Sequence, residues 1–240
     1  MTESELRQWS QRDFAHKYLE IADIMIVGRK RSLDMLKSFY RYFLRGKKPN
    51  RVLDLGCGDG VLAHELLNID DSISATLVDG SNDMLEKARE KLVEFGNTRF
   101  VNMSFQELTS EKPDLGKFEI AVSSLAIHHL TSSEKADLFK YVFSCLVEGG
   151  YFVVIDCTRS QAGPVEDWFL ELWRERIEER QVGLNVEADF EKMYEKYTET
   201  EHYSRIDTMD AQMNALRDVG FSEVDCYYKH GLFAMFGGKK

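Results

Sequence analysis

Val52-Leu-Asp-Leu-Gly-Cys-Gly-Asp-Gly60 runs from an apolar stretch into alternating glycines, with Asp54 at the junction. This is the pattern of a β-strand that ends in a tight turn. Gly56, Gly58 and Gly60 carry no Cβ, so the main chain there can take unusual dihedrals and lie close against a nucleoside ligand. Val61-Leu-Ala-His-Glu-Leu-Leu67 then places apolar residues at helical spacing, and the unit reads strand, glycine turn, helix. A lone Gly-x-Gly would mean no more than a turn between packed elements. Here a second apolar run, Ala75-Thr-Leu-Val-Asp79, also ends in an acid, 25 residues after Asp54. That is roughly the spacing at which an acid after the next strand holds a ribose hydroxyl.

Asp54-Leu-Gly-Cys-Gly-Asp-Gly60 together with Leu77-Val-Asp-Gly-Ser81 resembles the class I S-adenosylmethionine (SAM)-dependent methyltransferases. The rival is a nicotinamide site, whose fingerprint is Gly-x-Gly-x-x-Gly with the third glycine easing helix packing. This chain has Gly-x-Gly-x-Gly, with an acid two residues before the first glycine. The resemblance extends over about residues 45–237 and is strongest between 51 and 130. It implies a Rossmann-like α/β fold: a mainly parallel seven-stranded sheet, helices on both faces and an antiparallel C-terminal strand.

Composition agrees with one domain spanning residues 1–240. Hydrophobic residues make up 43% and only 3 prolines occur, which argues against extensive disorder. No apolar stretch approaches the ~20 residues that span a bilayer, and the N-terminus lacks the layout of a signal peptide. Cys57, Cys145, Cys157 and Cys226 are scattered without a Cys-x-x-Cys, so buried reduced thiols are expected rather than zinc or disulfides. A cytoplasmic location follows from these features. The 31 basic and 41 acidic side chains give a net charge of −10, which disfavours nucleic acid as a partner. Arg29-Lys-Arg31 and Arg45-Gly-Lys-Lys48 are short and read as solvated helix ends. A small-molecule partner is the expectation, with no membrane contact, and a homodimer stays open.

Strand and helix patterns alternate along the chain, as in a parallel sheet covered on both faces. Helices are expected in residues 1–48, with Leu33, Leu36, Tyr40, Phe43 and Leu44 on one apolar face. Strands are expected at Arg51–Leu55, Ala75–Asp79, Arg99–Met103, Phe118–Leu125 and Tyr151–Asp156. Thr131-Ser-Ser-Glu134 reads as a capping box whose helix runs to a left-handed cap at Gly149-Gly150. Residues 160–206 hold Pro164 at a helix start, an aromatic helix around Trp168, Trp173 and Ile177, and another around Phe190–Tyr197. They read as a helical lid. A last helix over Asp207–Val219 and a hairpin of Val224–Tyr228 with Leu232–Phe236 complete the pattern.

The resemblance assigns residues to a cofactor site beyond the carboxyl ends of the strands. Gly56, Cys57 and Gly58 should lie along the methionine part of SAM, with Asp54 supporting its ammonium group. Asp79, followed by Gly80, should accept from the ribose hydroxyls, a task for an acceptor-only carboxylate. Met84 should meet the adenine ring, although it also belongs to the apolar stripe of its helix. Where the family usually has an acid that accepts the adenine amino hydrogen, this chain has Ser104. Ser104 or Gln106 would then accept that bond, with the Phe105 amide at a ring nitrogen. Ser124, at the tip of strand four, completes the set.

His128-His129-Leu130 resembles a stretch of small-molecule members of the family, and strand four points at the transferred methyl. Adjacent histidines coordinate one ion poorly, so no metal is expected. His128 is the candidate general base, with a purely structural role equally open, and Asp156 at the end of strand five is the second candidate. Tyr18 and Arg29 near the N-terminus, with Trp168, Trp173 and Tyr197 of the lid, are candidate substrate contacts; helix packing is the competing reading of the aromatics. The implied activity is in-line methyl transfer to a small organic acceptor. A non-catalytic SAM-binding subunit or sensor, and an RNA-modifying methyltransferase, remain as alternatives.

Overall fold

The computed structural model describes residues 22, 24–46, 50–184 and 190–240, the side chains of 182–184 and 196 apart. It begins with α1 (Arg29–Phe43), β1 (Arg51–Leu55), α2 (Val61–Leu67), β2 (Ser74–Asp79), α3 (Asn82–Lys91) and β3 (Thr98–Asn102). Next come α4 (Phe105–Glu111), β4 (Phe118–Ser124), a 3₁₀ turn at Ile127–His129, α5 (Ser132–Cys145) and β5 (Leu146–Cys157). Four helices, α6 (Gly163–Leu184), α7 (Phe190–Thr198), α8 (Thr200–Arg205) and α9 (Met209–Val219), precede the hairpin β6 (Ser222–His230) and β7 (Phe233–Lys239).

The strands form one seven-stranded sheet in the order β3-β2-β1-β4-β5-β7-β6. β1 pairs in parallel with β2 and β4, β2 with β3, and β4 with β5; β7 runs antiparallel to both β5 and β6. The order reverses between β1 and β4, so their carboxyl ends open a crevice there, where ligands of open α/β sheets bind.

Alternation along the strands sends neighbouring residues to opposite faces. Val52, Ile120, Val122, Val153 and Ile155 pack against Leu36 and Tyr40 of α1, Leu62 and Leu66 of α2, and Leu85 of α3. Leu53, Leu55, Ala121, Phe152 and Val154 meet Leu108 of α4, Leu138, Phe139 and Val142 of α5, and Leu216 of α9. Burial on both faces explains why β1 reads as a nearly unbroken apolar run. A third cluster sits at the strand ends: Ala22, Ile24, Ile26 and Val27 pack with Trp173 and Ile177 of α6, Tyr197 of α7, and Phe233.

The capping box forms as the spacing predicts, with the Thr131 hydroxyl taking the Glu134 N–H and Glu134 accepting from the Thr131 backbone. The glycine cap does not form. α5 ends at Cys145, and Leu146 already pairs with Phe118, so Gly149 and Gly150 lie within β5 at a register shift between Phe118 and Ile120. Gly149 has φ 76 there, the left-handed angle expected of it but used inside a strand. The short helices α4 and α8 were not expected from the sequence.

Candidate functional site

β1 delivers Asp54 and the glycine turn to the crevice. Asp54 is 1% exposed. Its Oδ2 accepts from the Ala63 N–H at 3.1 Å, while Oδ1 has no hydrogen-bond partner among the described residues. Burial, with Asp79 and Asp59 nearby, overcomes the Ala63 bond and pushes the Asp54 carboxyl up to about 7. A buried carboxylate with an open acceptor is costly unless a ligand fills it.

Gly56 (φ 61) passes so close to the neighbouring loop that a Cβ would stand 2.4 Å from the Ala126 Cβ and 3.0 Å from Phe105 Cζ. A Cβ at Gly58 would meet nothing within 4 Å, although its φ of 54 still suits glycine. β2 presents Asp79 from the other side. Its Oδ2 accepts from Gly58 N–H and its Oδ1 from Ser81 N–H, both at 2.8 Å, so the acid also ties the glycine turn to the start of α3. Burial pushes its carboxyl up, and these two bonds oppose the rise.

Asp54, Gly56, Cys57, Gly58, Asp79, Gly80, Met84, Ser104, Phe105 and Ser124 all line a single cavity at the tips of β1, β2 and β4. Arg29, at the start of α1, lines the same cavity. Ala22, Ile26, Asp59, Met103, Leu125, Ala126 and His129 belong to it as well, though sequence reasoning did not single them out as site residues. Two residues depart from expectation on the β3 side. The Ser104 hydroxyl caps α4, accepting from Glu107 N–H at 3.2 Å and donating to Glu107 Oε2 at 2.8 Å, so its oxygen is already engaged. The Gln106 amide points to α5, donating to Glu134 Oε1 at 2.8 Å, and does not line the cavity.

His128 and Asp156 come together as a buried pair, with Nδ1 2.5 Å from Oδ1. Asp156 Oδ2 also accepts the His128 backbone N–H at 3.0 Å, and Oδ1 accepts the Cys157 N–H at 2.8 Å. Burial disfavours the imidazolium, but the Cys157 sulfur and the Asp156 carboxylate win and push His128 up to about 10. Burial likewise raises Asp156, and the facing cation overcomes it and holds the carboxyl below its usual value. His128, Asp156 and Cys157 have donor atoms within 4.8 Å of one another. The carboxylate already accepts three N–H groups, which is the chemistry of an ion pair. His128 does not line the cavity, whereas its neighbour His129 does.

The aromatic candidates are not brought to the cavity. Trp173 is buried in the third cluster, its Nε1–H donating to the Met25 carbonyl at 2.8 Å. Tyr197 is buried beside it and donates to Glu166 Oε1 at 2.9 Å. Trp168 is 60% exposed on α6. Packing therefore accounts for the two buried rings, and Tyr18 lies outside the described residues. Among those residues, no helix is long and apolar enough to cross a membrane. All four cysteines are unpaired thiols.

Residues 52–150 match a family model described as a methyltransferase domain. The carboxy-S-adenosyl-L-methionine synthase of Nautilia profundicola is 22% identical over 205 residues, 85% of this chain and 80% of that protein. The malonyl-[acyl-carrier protein] O-methyltransferase of Halalkalibacterium halodurans is 29% identical over 83 residues, 35% of this chain and 31% of that protein. Among solved structures, an O-methyltransferase family protein from Burkholderia thailandensis superposes with a TM-score of 0.64 at 14% identity, over 95% of this chain and 59% of that one. Phosphoethanolamine N-methyltransferase 2 of Haemonchus contortus, in complex with SAM, gives 0.60 at 17% identity, over 92% of this chain and 44% of that one. The chain thus spans well under two thirds of the length of these solved relatives, and at such identities the likeness is one of fold.

Proposed function

From the match of residues 52–150 to a methyltransferase-domain model and the geometry of the cavity, we propose that the cavity binds SAM, as in the class I SAM-dependent methyltransferases, and that a methyl group passes from it to a small organic acceptor. The observation that carries this reading is Asp54 Oδ1, a buried acceptor without a partner among the described residues, beside a glycine turn that is open at Gly58. An ammonium group is the natural complement of that oxygen. Asp54 would hold the amino end of the cofactor, and the backbone of Gly56–Gly58 would lie along its chain. Asp79 has lone pairs beyond the two it gives to Gly58 and Ser81, and these would accept from ribose hydroxyls. Met84 and Phe105 would flank the base, and Ser104, with its hydroxyl committed to the helix cap, would contribute backbone atoms.

SAM supplies a methyl group already activated by the sulfonium, so the protein's part is alignment and exclusion of water. Leu125 and Ala126 would give the methyl end an apolar wall, with Ala22 and Ile26 lining the same cavity. Those last two belong to the third cluster with Trp173 and Ile177 of α6 and Tyr197 of α7, which makes the α6–α7 region of residues 160–206 the proposed closing element. Arg29 lines the cavity together with Asp54, Asp59 and Asp79 and would meet a carboxylate of cofactor or acceptor. The synthase's name mentions a SAM derivative and the O-methyltransferase's a methyl transfer to a malonyl-[acyl-carrier protein]; together they support SAM chemistry here and leave the acceptor of this chain open. Calorimetric titration with SAM and S-adenosylhomocysteine, followed by transfer of label from methyl-tritiated SAM into a small-molecule extract, tests the proposal. Binding with transfer supports it; binding with no transfer to any fraction would favour a SAM-binding subunit or sensor.

A further inference from the structure

The chain beyond β4 contains two adjacent histidines in very different surroundings. Leu125 leaves the strand with φ 50, an unusual angle for leucine, and its N–H donates to the Ile155 carbonyl at 2.8 Å. The 3₁₀ turn that follows has three residues per turn, so consecutive side chains point about 120° apart. Ile127 goes into the core. His128 turns to β5, where Asp156 takes both its ring Nδ1 and its backbone N–H. His129 remains on the side of the cavity, which it lines together with Ser124, Leu125 and Ala126.

We infer that His129, and not His128, is the catalytic residue that faces the transferred methyl and takes the proton of an O–H or N–H acceptor. The inference rests on the methyl-transfer reading above. His129 sits on a fixed support. Its ring lies 4.1 Å from that of His128, and its carbonyl accepts from Arg205 Nη1 at 3.1 Å. The groups around it are His128 with Asp156 and Cys157 behind, His202 of α8 at 5.6 Å between rings, and Arg205 paired with Glu201. Arg29 and the acids Asp54, Asp59 and Asp79 line the same cavity. A His128 imidazole pushed up to about 10 already carries its proton at neutral pH and has none of the capacity a base needs. In the step, the acceptor's lone pair forms the bond to the methyl carbon and the carbon–sulfur bond breaks with its electrons left on sulfur. The acceptor's proton moves to an unprotonated His129 nitrogen, and solvent then removes it.

The test follows histidine ring signals by NMR in protein labelled at histidine nitrogens, with His129→Gln and His128→Gln used for assignment. Exchanging bound S-adenosylhomocysteine for SAM brings a methyl and a positive charge to the cavity, so the His129 signals are expected to shift while those of His128 stay fixed. A response from His128 alone, or from neither ring with both ligands bound, overturns the inference. Calorimetry on the same samples keeps the two readings apart: failure of the wild-type protein to bind either ligand sinks the cofactor assignment instead. His129→Gln is also expected to bind S-adenosylhomocysteine within about 3-fold of wild type. Label transfer from methyl-tritiated SAM to a small-molecule extract should fall by about 100- to 10,000-fold. Normal transfer by that variant, against an active wild type, likewise overturns it.

Discussion

Replacing Asp54 by asparagine should make the protein more stable and a poorer binder at once. The Asp54 carboxyl is held at about 7 against an ordinary value of 3.8, chiefly by burial. At ~1.36 kcal/mol per unit, that displacement of about three units corresponds to a ceiling of roughly 4 kcal/mol. The sign follows from proton counting. Between pH 4 and 7 the unfolded chain has released the Asp54 proton while the folded protein still holds it, so wild-type stability falls as pH rises through this window. Asparagine does not titrate, and its side-chain oxygen can still accept from Ala63 N–H. Asp54→Asn should therefore match wild type near pH 4, pull ahead as pH rises and level off above pH 8. At ~2–4 °C per kcal/mol for a chain of this size, the midpoint gain at pH 8 is up to roughly 8–16 °C. Thermal unfolding without ligand, from pH 4 to 9, measures it. The same change removes a charge-assisted bond to the cofactor's ammonium group, worth ~1.5–3 kcal/mol, or roughly 10- to 150-fold in SAM affinity. In wild type, binding near pH 6 should also release a proton, read by calorimetry in buffers of different ionisation enthalpy. If Asp54→Asn binds SAM as tightly as wild type at pH 8, or unfolds at a lower temperature there, the assignment of that oxygen is wrong.

Gly56→Val should abolish SAM binding, because a Cβ there stands 2.4 Å from Ala126 and φ is 61; full affinity in a folded variant would contradict the close approach of the turn. The His128–Asp156 pair should stabilise the fold fully between pH 3.8 and 6.5, the ordinary values of its two groups, with the Asp156 contribution lost in more acid solution and the His128 contribution lost as pH rises through about 10. Asp156→Asn should flatten the fall in unfolding midpoint between pH 7 and 10, and an unchanged slope would place the charge elsewhere. If residues 160–206 close the cavity, their amide exchange should slow when S-adenosylhomocysteine binds; equal exchange with and without it would reduce the segment to packing.

The parts of this fold that the sequence reveals are those set by local chemistry. β1 and its glycine turn are legible because a strand buried on both faces must be apolar throughout, and the turn needs residues without a Cβ. Thr131 and Glu134 declare a helix start by their spacing alone. Ser104-Phe-Gln-Glu107 carries the same signal, and the structure uses it as a capping box at α4. The family resemblance drew Ser104 toward the adenine instead, so a legible helix start went unused. The start of β5 depends on pairing between Leu146 and Phe118, a tertiary contact that outweighs what Gly149-Gly150 signals locally.

The site divides along the same line. Residues at the ends of β1, β2 and β4 reach the cavity because chain direction and the topology of the parallel sheet bring those ends together at the crevice. The aromatics of α6 and α7 had no such constraint: Trp168 and Trp173 stand five positions apart on one helix, and tertiary contacts with Phe190, Tyr197, Phe233 and the Met25 carbonyl decide which is buried. The histidines show the limit most sharply. His128 and His129 are the same residue type one position apart, and no pattern in their neighbourhood distinguishes them. What separates them is Asp156, 28 residues later, which reaches across from β5 and binds one ring. An acid at the end of a strand was visible in the sequence; the partner it would choose was not. That choice converts His128 into half of a buried ion pair and leaves His129 on the side where chemistry can occur.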